Sequence, residues 1–253
     1  MQKSDSVVNS IIILSFVLLF AAGDAAGDFS LPPPLPPEEY GNILIDRIST
    51  ANGQKAVSFS HWLHRTRFTC RVCHGELDFL MKVNATEITE QANTNGRFCG
   101  ACHNGKIAFR HDGNCEKCHN GRIGYSSSKF AALLLKTTIR RSSAGNGVNW
   151  TEGLSSGAIK PRTFIRKHAQ SMNFEKELLL QAGPSPLPPA IFPHKAHSAW
   201  LDCDNCHPEL FNIRKTGTRF SMNEILQGDY CGVCHLKVAF PMDECGRCHP
   251  AKR

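Results

Sequence analysis

Apolar residues fall in short stretches broken by polar, Gly, Ser and Pro clusters over most of the 253-residue chain. The one long apolar run, Ile11 to Phe20, follows Lys3 and gives way to small residues from Ala21 to Gly27. A basic start, an apolar stretch and a small-residue region are the layout of a secretory signal peptide, expected here over residues 1–26. The alternative is a retained anchor from Val7 to Gly23, which is short for a full span and interrupted by Asn9 and Ser10. No later run is long enough to cross a membrane. From Ile43, ILIDRISTANGQKAVSFSH places two β-prone runs about Asn52-Gly53, which predicts a hairpin. Lys129–Lys136 and Asn173–Gln181 each predict a short helix, and Ser126–Ser128 and Ser142–Gly147 predict loops. Two Pro-rich tracts, LPPPLPP from Leu31 and PSPLPP from Pro184, favour stiff polyproline II spacers.

That pattern leaves little for a side-chain interior. The chain is 41% hydrophobic and 8% aromatic, yet it holds 12 Cys and 12 His. All the cysteines fall into six Cys-x-x-Cys pairs, each followed directly by His. In chain order these are site 1 (Cys70, Cys73, His74), site 2 (Cys99, Cys102, His103), site 3 (Cys115, Cys118, His119), site 4 (Cys203, Cys206, His207), site 5 (Cys231, Cys234, His235) and site 6 (Cys245, Cys248, His249). Two thiols at this spacing reach the two vinyl groups of one porphyrin, and the adjoining imidazole ligates the iron from the same side, which is c-type haem attachment. Structural zinc sites and disulfides also use Cys-x-x-Cys, but neither requires His at the next position. Six haem c groups are therefore the expected cofactors. Each would bury an apolar macrocycle in place of side-chain core, so the chain without them is expected to fold poorly. The formal charge of +7 is largely offset by the propionates of bound haems. With no interleaving of basic and aromatic residues, nucleic acid is not an expected partner.

The motifs are organised by an internal repeat. Phe59-Ser60-His61-Trp62-Leu63-His64 stands before the first three and Phe192-Pro193-His194-Lys195-Ala196-His197 before the last three, both Phe-x-His-x-x-His. Each signature is followed by a motif, then Cys-Gly-x-Cys-His, then an Ala-Phe pair and a third motif. The expected division is 27–124 for a first triheme domain with its Pro-rich leader, 125–185 for a linker, and 186–253 for a second triheme domain. The linker and leader are expected to be plain connecting chain, with docking segments as the alternative.

On Phe59, His61, His64 and the first three motifs, and on Phe192, His194, His197 and the last three, each half resembles a triheme domain of the cytochrome c7 class. These are relatives of the tetrahaem cytochrome c3 proteins, and the resemblance holds especially for the nanowire-type variety found in tandem arrays. The resemblance implies a mostly irregular fold with short α-helices and a small N-terminal β-hairpin, wrapped around covalent haems in two cytochrome c7-like triheme units.

Electron transfer without chemistry favours irons whose two axial positions are both filled. The motif histidines supply one side. Six histidines remain for the other: His61, His64, His111, His168, His194 and His197. His61 and His64 are three apart, as are His194 and His197, so on a helix each pair shares a face and can reach two irons. The resemblance implies that His61 serves site 1, His64 site 2, His194 site 4 and His197 site 5. Simple cytochromes c7 carry a His just ahead of the second motif; here those places, near Asn95 and Gln227, have none. For site 3 the substitute is His111. For site 6 it is His168, with Met242 or Met222 as alternatives that would raise the potential of that haem.

The function expected from these features is electron transfer by a non-enzymatic hexahaem cytochrome. By resemblance this belongs to anaerobic respiration or electron export in bacteria, in the periplasm or, alternatively, at the cell surface or outside the cell. Its partners would be other redox proteins, such as multihaem cytochromes or a quinone oxidoreductase. Two rival readings are a multihaem reductase with one open iron and a fixed electron-transfer subunit docked in a membrane quinone oxidoreductase complex.

Overall fold

The computed structural model describes residues 31–165, 174–181 and 187–250. The expected signal peptide and His168 lie outside the described residues. No helix among the described residues is long and apolar enough to cross a membrane.

The elements are short and joined by irregular chain. In the first half they are β1 (Asn42–Ile45), α1 (Arg47–Ala51), β2 (Val57–Ser60), α2 (His61–Arg65), α3 (Glu90–Thr94) and α4 (Cys115–Cys118). The middle contributes α5 (Ser127–Lys136), α6 (Trp150–Ser155) and β3 (Glu177–Leu180). The second half has β4 (Ala190–Pro193), α7 (His194–Ser198), α8 (Met222–Leu226), α9 (Gly232–His235) and α10 (Cys245–Cys248). This is the mostly irregular fold, with small strand pairs, that the resemblance implied.

β1 and β2 pair antiparallel, with Asn42 opposite Ser60 and Ile45 opposite Val57. The hairpin thus forms, but Asn52-Gly53 is not its turn. The connection folds into α1, held by the Thr50 hydroxyl on the Asp46 carbonyl (2.7 Å) and by the Asn84 side-chain carbonyl on the backbone N–H of Asp46 (3.0 Å). Asn52 then caps α1, and Gly53 takes the left-handed φ of +70° that ends it. Asn-Gly is a helix-ending signal as well as a hairpin one, and tertiary contacts chose the former.

A second correction concerns Asn173–Gln181. Its described part forms the strand β3, antiparallel to β4 with Leu178 opposite Phe192. Residues alternate exposed and half-buried along β3, so pairing with β4 overrides the helix propensity of Glu and Leu.

The third concerns the connecting chain. A cluster of buried apolar side chains joins Trp62 from α2 with Phe130, Ile139, Val148 and Ile159, these four from the middle stretch. Leu133, Leu134, Trp150 and Leu154 pack around it, as does Trp200 from the second half. The middle stretch therefore supplies four of the five buried residues of this cluster, and α5 turns Phe130 inward while leaving Leu135 85% exposed. The leader is likewise engaged: Leu31–Leu35 line a small cavity with Leu236, Pro241 and Met242 of the second half.

Candidate haem-iron centres

Each Phe-x-His-x-x-His signature spans a strand end and a helix. In the first half, the Gly41 carbonyl accepts both the backbone N–H of His61 (2.8 Å) and its Nδ1 (3.2 Å). In the second half the Lys176 carbonyl does the same for His194, at 3.1 and 2.8 Å. Gly41 and Lys176 each precede the first strand of a pair, so the two strand pairs are equivalent. One turn along the helix, His64 Nδ1 meets the Ser60 carbonyl (2.9 Å) and His197 Nδ1 the Pro193 carbonyl (2.9 Å). Phe59 stands edge-on to His61 (4.9 Å) and stacks on His64 (4.5 Å); Phe192 repeats this with His194 (4.9 Å) and His197 (4.3 Å).

The motif histidines are fixed in the same way. Nδ1 of His74 and His207 meets the carbonyls of Phe79 (2.8 Å) and Phe211 (2.6 Å). Nδ1 of His103 and His235 meets those of Phe109 (3.1 Å) and Phe240 (3.0 Å), the Phe of each Ala-Phe pair. Nδ1 of His119 and His249 reaches Lys55 (2.8 Å) and Pro188 (2.6 Å), each two residues before a strand. An imidazole that donates Nδ1–H to a carbonyl keeps the lone pair on Nε2, the state that binds a metal. Ten of the eleven described histidines are held so.

Site 2 and site 5 share a further device. α3 is capped by the Thr89 hydroxyl on Ala92 N–H, and α8 by the Ser221 hydroxyl on Glu224 N–H. Each helix then runs directly against the glycine of Cys-Gly-x-Cys-His. A Cβ on Gly100 would lie 1.8 Å from the Asn93 carbonyl oxygen, and one on Gly232 would lie 1.8 Å from that of Ile225. The preceding aromatic takes a left-handed φ in both, +46° at Phe98 and +51° at Tyr230. Ring packing compensates: Phe98 lies 5.3 Å from Phe79, and Tyr230 lies 5.9 Å from Phe211.

The resemblance assigned His61, His64, His194 and His197 to their sites, and the structure sets three of these four opposite a motif histidine across a gap. His61 and His74 have ring centroids 6.5 Å apart and nearly parallel planes (9°); His64 and His103 are 6.3 Å apart; His197 and His235 are 6.2 Å apart. Two imidazole nitrogens each about 2 Å from one iron place the ring centroids roughly 6 Å apart. The spacing of all three pairs fits that requirement. His194 and His207 do not form a pair of this kind among the described residues. His111 is half-buried and lies beside site 2, its backbone N–H on the His103 carbonyl (3.0 Å). Met242 and Met222 are both half-buried.

These rings line one cavity of about 1580 Å³ that reaches His61, His64, His74, His103, His119, His197 and His235. Pockets for a single small ligand run to roughly 300–1,000 Å³, which this space exceeds. Burial holds the His61 ring down at about 3 and that of His235 at about 4, and it lowers His64, His74, His103 and His197 in the same direction. Neutral rings are what an iron requires. Burial also pushes the thiols of Cys73 and Cys234 up to about 12 and those of Cys99 and Cys231 up to about 11. A zinc site works in the opposite sense, because it stabilises thiolates. Among the described residues no group of three or more metal-binding side chains gathers around a point, and no disulfide joins any two of the cysteines. The thiols, neutral imidazoles and apolar cavity fit covalently attached haem. No residue pattern in the sequence revealed the carbonyls that orient the rings, since any residue type supplies one.

A family model described as cytochrome c7 and related cytochrome c matches residues 57–120 and 190–250. A c7-type three-heme cytochrome domain is 34% identical, covering 35% of this chain and 95% of that one, with a TM-score of 0.28. The C-terminal hexaheme fragment of GSU1996 is 25% identical, covering 87% of this chain and 99% of that one, also with a TM-score of 0.28. The curated proteins yield no match.

Proposed function

Because the chain belongs to the family of cytochrome c7 and related cytochromes c, and so is a multihaem c-type cytochrome, we propose that it is a hexahaem electron carrier of an exported respiratory chain. The observation that carries this reading is the set of three imidazole pairs spaced 6.2 to 6.5 Å across the cavity. A haem c held at each motif supplies a one-electron couple.

The chain's own part is positional. His61 with His74, His64 with His103, and His197 with His235 would hold the irons of sites 1, 2 and 5 from opposite sides. Their Nδ1–H donations fix the tautomer and strengthen Nε2 as a ligand. With both faces closed, little rearranges on a change of charge, and no position is left for a substrate. His194 serves site 4, and His111 and His168 complete sites 3 and 6, with Met242 or Met222 as the alternatives at site 6. The partners are other redox proteins, met in the periplasm or at the cell surface.

The test is a haem count by alkaline pyridine spectra and mass, with electron paramagnetic resonance of the oxidised protein. Six haems per chain and low-spin signals from sites 1, 2 and 5 are expected. Fewer than six would overturn the hexahaem reading. A high-spin ferric signal that moves with cyanide or nitrite would replace the carrier with a reductase.

A further inference from the structure

Arg65 ends α2, next to His64, yet its side chain leaves the first half. Its Nη2 donates to the Val238 carbonyl (3.0 Å), and its guanidinium lies 5.1 Å from the Trp150 ring and 5.9 Å from that of Trp200. The Val238 and Trp200 contacts lead to haem-attachment cysteines. The Val238 N–H bonds the Cys234 carbonyl (2.9 Å), and the Trp200 carbonyl accepts the N–H of Arg71 (3.0 Å), the residue after Cys70. Arg65, Cys70 and Cys234 all line the central cavity. The positive charge bears on both thiols and on the His61 ring.

Among the described residues no carboxylate lies within ion-pair distance of this guanidinium. Arg71, six residues on, does have one in Asp202 (3.1 Å). The faces of two indoles stabilise a cation without neutralising it, and a guanidinium does not deprotonate in a protein. Arg65 is therefore a full charge in a poorly hydrated place. Reduction adds one electron to an iron centre, and a neighbouring positive charge favours the reduced state.

Resting on the reading of sites 1 and 5 as bis-histidine haems, we propose that Arg65 is a shared potential-setting residue. Its charge, set between Cys70 and Cys234 with no protein carboxylate among the described residues paired to it, raises the reduction potentials of the site 1 and site 5 haems together. It thereby matches one haem of each half. As a positioning device it differs from the axial ligands, since it touches neither ring.

The test is a redox titration of the full haem-loaded chain, resolved haem by haem by NMR. Arg65→Gln should shift the oxidised-to-reduced ratio about tenfold toward oxidised at both sites, or about 59 mV per one-electron couple. The other four haems should move much less. Arg65→Lys, which keeps the charge but not the planar fork, should stay near the native values. A shift at one site alone, no shift, or equal shifts in the Gln and Lys variants would overturn the proposal. The native protein gives a reading that needs no variant: sites 1 and 5 should each be reduced before at least one other haem of their own half. If either is the last reduced in its half, the proposal fails whether or not the variants fold. Failure of the bis-histidine reading would show separately, as missing low-spin signals in the native protein.

Discussion

The two halves share the parts that hold imidazoles and differ in the parts that hold protein together. A strand pair, a histidine helix, a capped helix against a glycine and a carbonyl for each motif and signature histidine recur in both. The strand pairs are anchored differently. In the first half Asn42, 1% exposed, stands opposite Ser60; its Oδ1 accepts from the Ser60 hydroxyl and from Trp62 Nε1 (3.2 Å), and its Nδ2 donates to the Glu38 carbonyl (2.8 Å). In the second half the corresponding residue is exposed Glu177, opposite Pro193. The first half is thus built around a buried polar hub and the apolar cluster on Trp62. The second half leans on the first: the Arg71 guanidinium, 1% exposed, bonds the carbonyls of Ser198 and Leu201 (2.9 Å), Asn205 Nδ2 reaches the His74 carbonyl (2.9 Å), and the Tyr40 hydroxyl reaches that of His235 (3.2 Å). Repetition marks the cofactor sites, and asymmetry marks the assembly.

The sharpest test of the shared part lies at the two motif glycines. Alanine at Gly100 or Gly232 would press a methyl into a backbone carbonyl, which no side-chain rotation relieves. Each variant should lose about 3 kcal/mol or more, at the upper end of overpacking costs, with the denaturation midpoint read by haem absorbance. The losses should be similar in the two halves. If one variant is neutral, the contact of α3 or α8 with its motif is not the common support it is taken to be.

Much of this was legible in the sequence. Twelve cysteines in register with histidine mark the sites, and Phe-x-His-x-x-His marks the repeat, because haem attachment fixes residue type and spacing together. The strand β3 was not legible. ELLL carries helix propensity, and only its pairing with AIFP makes it a strand, so the repeat reaches back further than Phe192 suggests. Nor was the role of the middle stretch, whose core residues Phe130, Ile139, Val148 and Ile159 follow no strand or heptad period. The ring-orienting carbonyls of Gly41, Lys176, Lys55 and Pro188 leave no trace in residue type at all.

Where the halves differ, substitution should separate them. Asn42→Ala leaves the Ser60 hydroxyl and the Trp62 N–H buried without their acceptor, a loss of about 2 kcal/mol. Glu177→Ala, at the equivalent exposed position, should stay within about 0.5 kcal/mol of the parent. Paired denaturation curves decide this. Equal effects would mean that the two strand pairs are anchored alike and that Asn42 is not a hub.

A smaller effect than that of Asn42→Ala is expected where the halves meet at the surface. Lys82 and Asp229 form an ion pair across them at 2.7 Å, with side chains 62% and 44% exposed. Water screens such a pair and both side chains lose freedom in making it, so Lys82→Ala should cost about 0.2–1 kcal/mol in low salt and less in high salt. The buried ties of Arg71 and Asn205 should not show that salt dependence. If Lys82→Ala proves as costly as Asn42→Ala and insensitive to salt, the second half is held by its surface charges, and the contrast drawn between a self-anchored first half and a leaning second half would have to be redrawn.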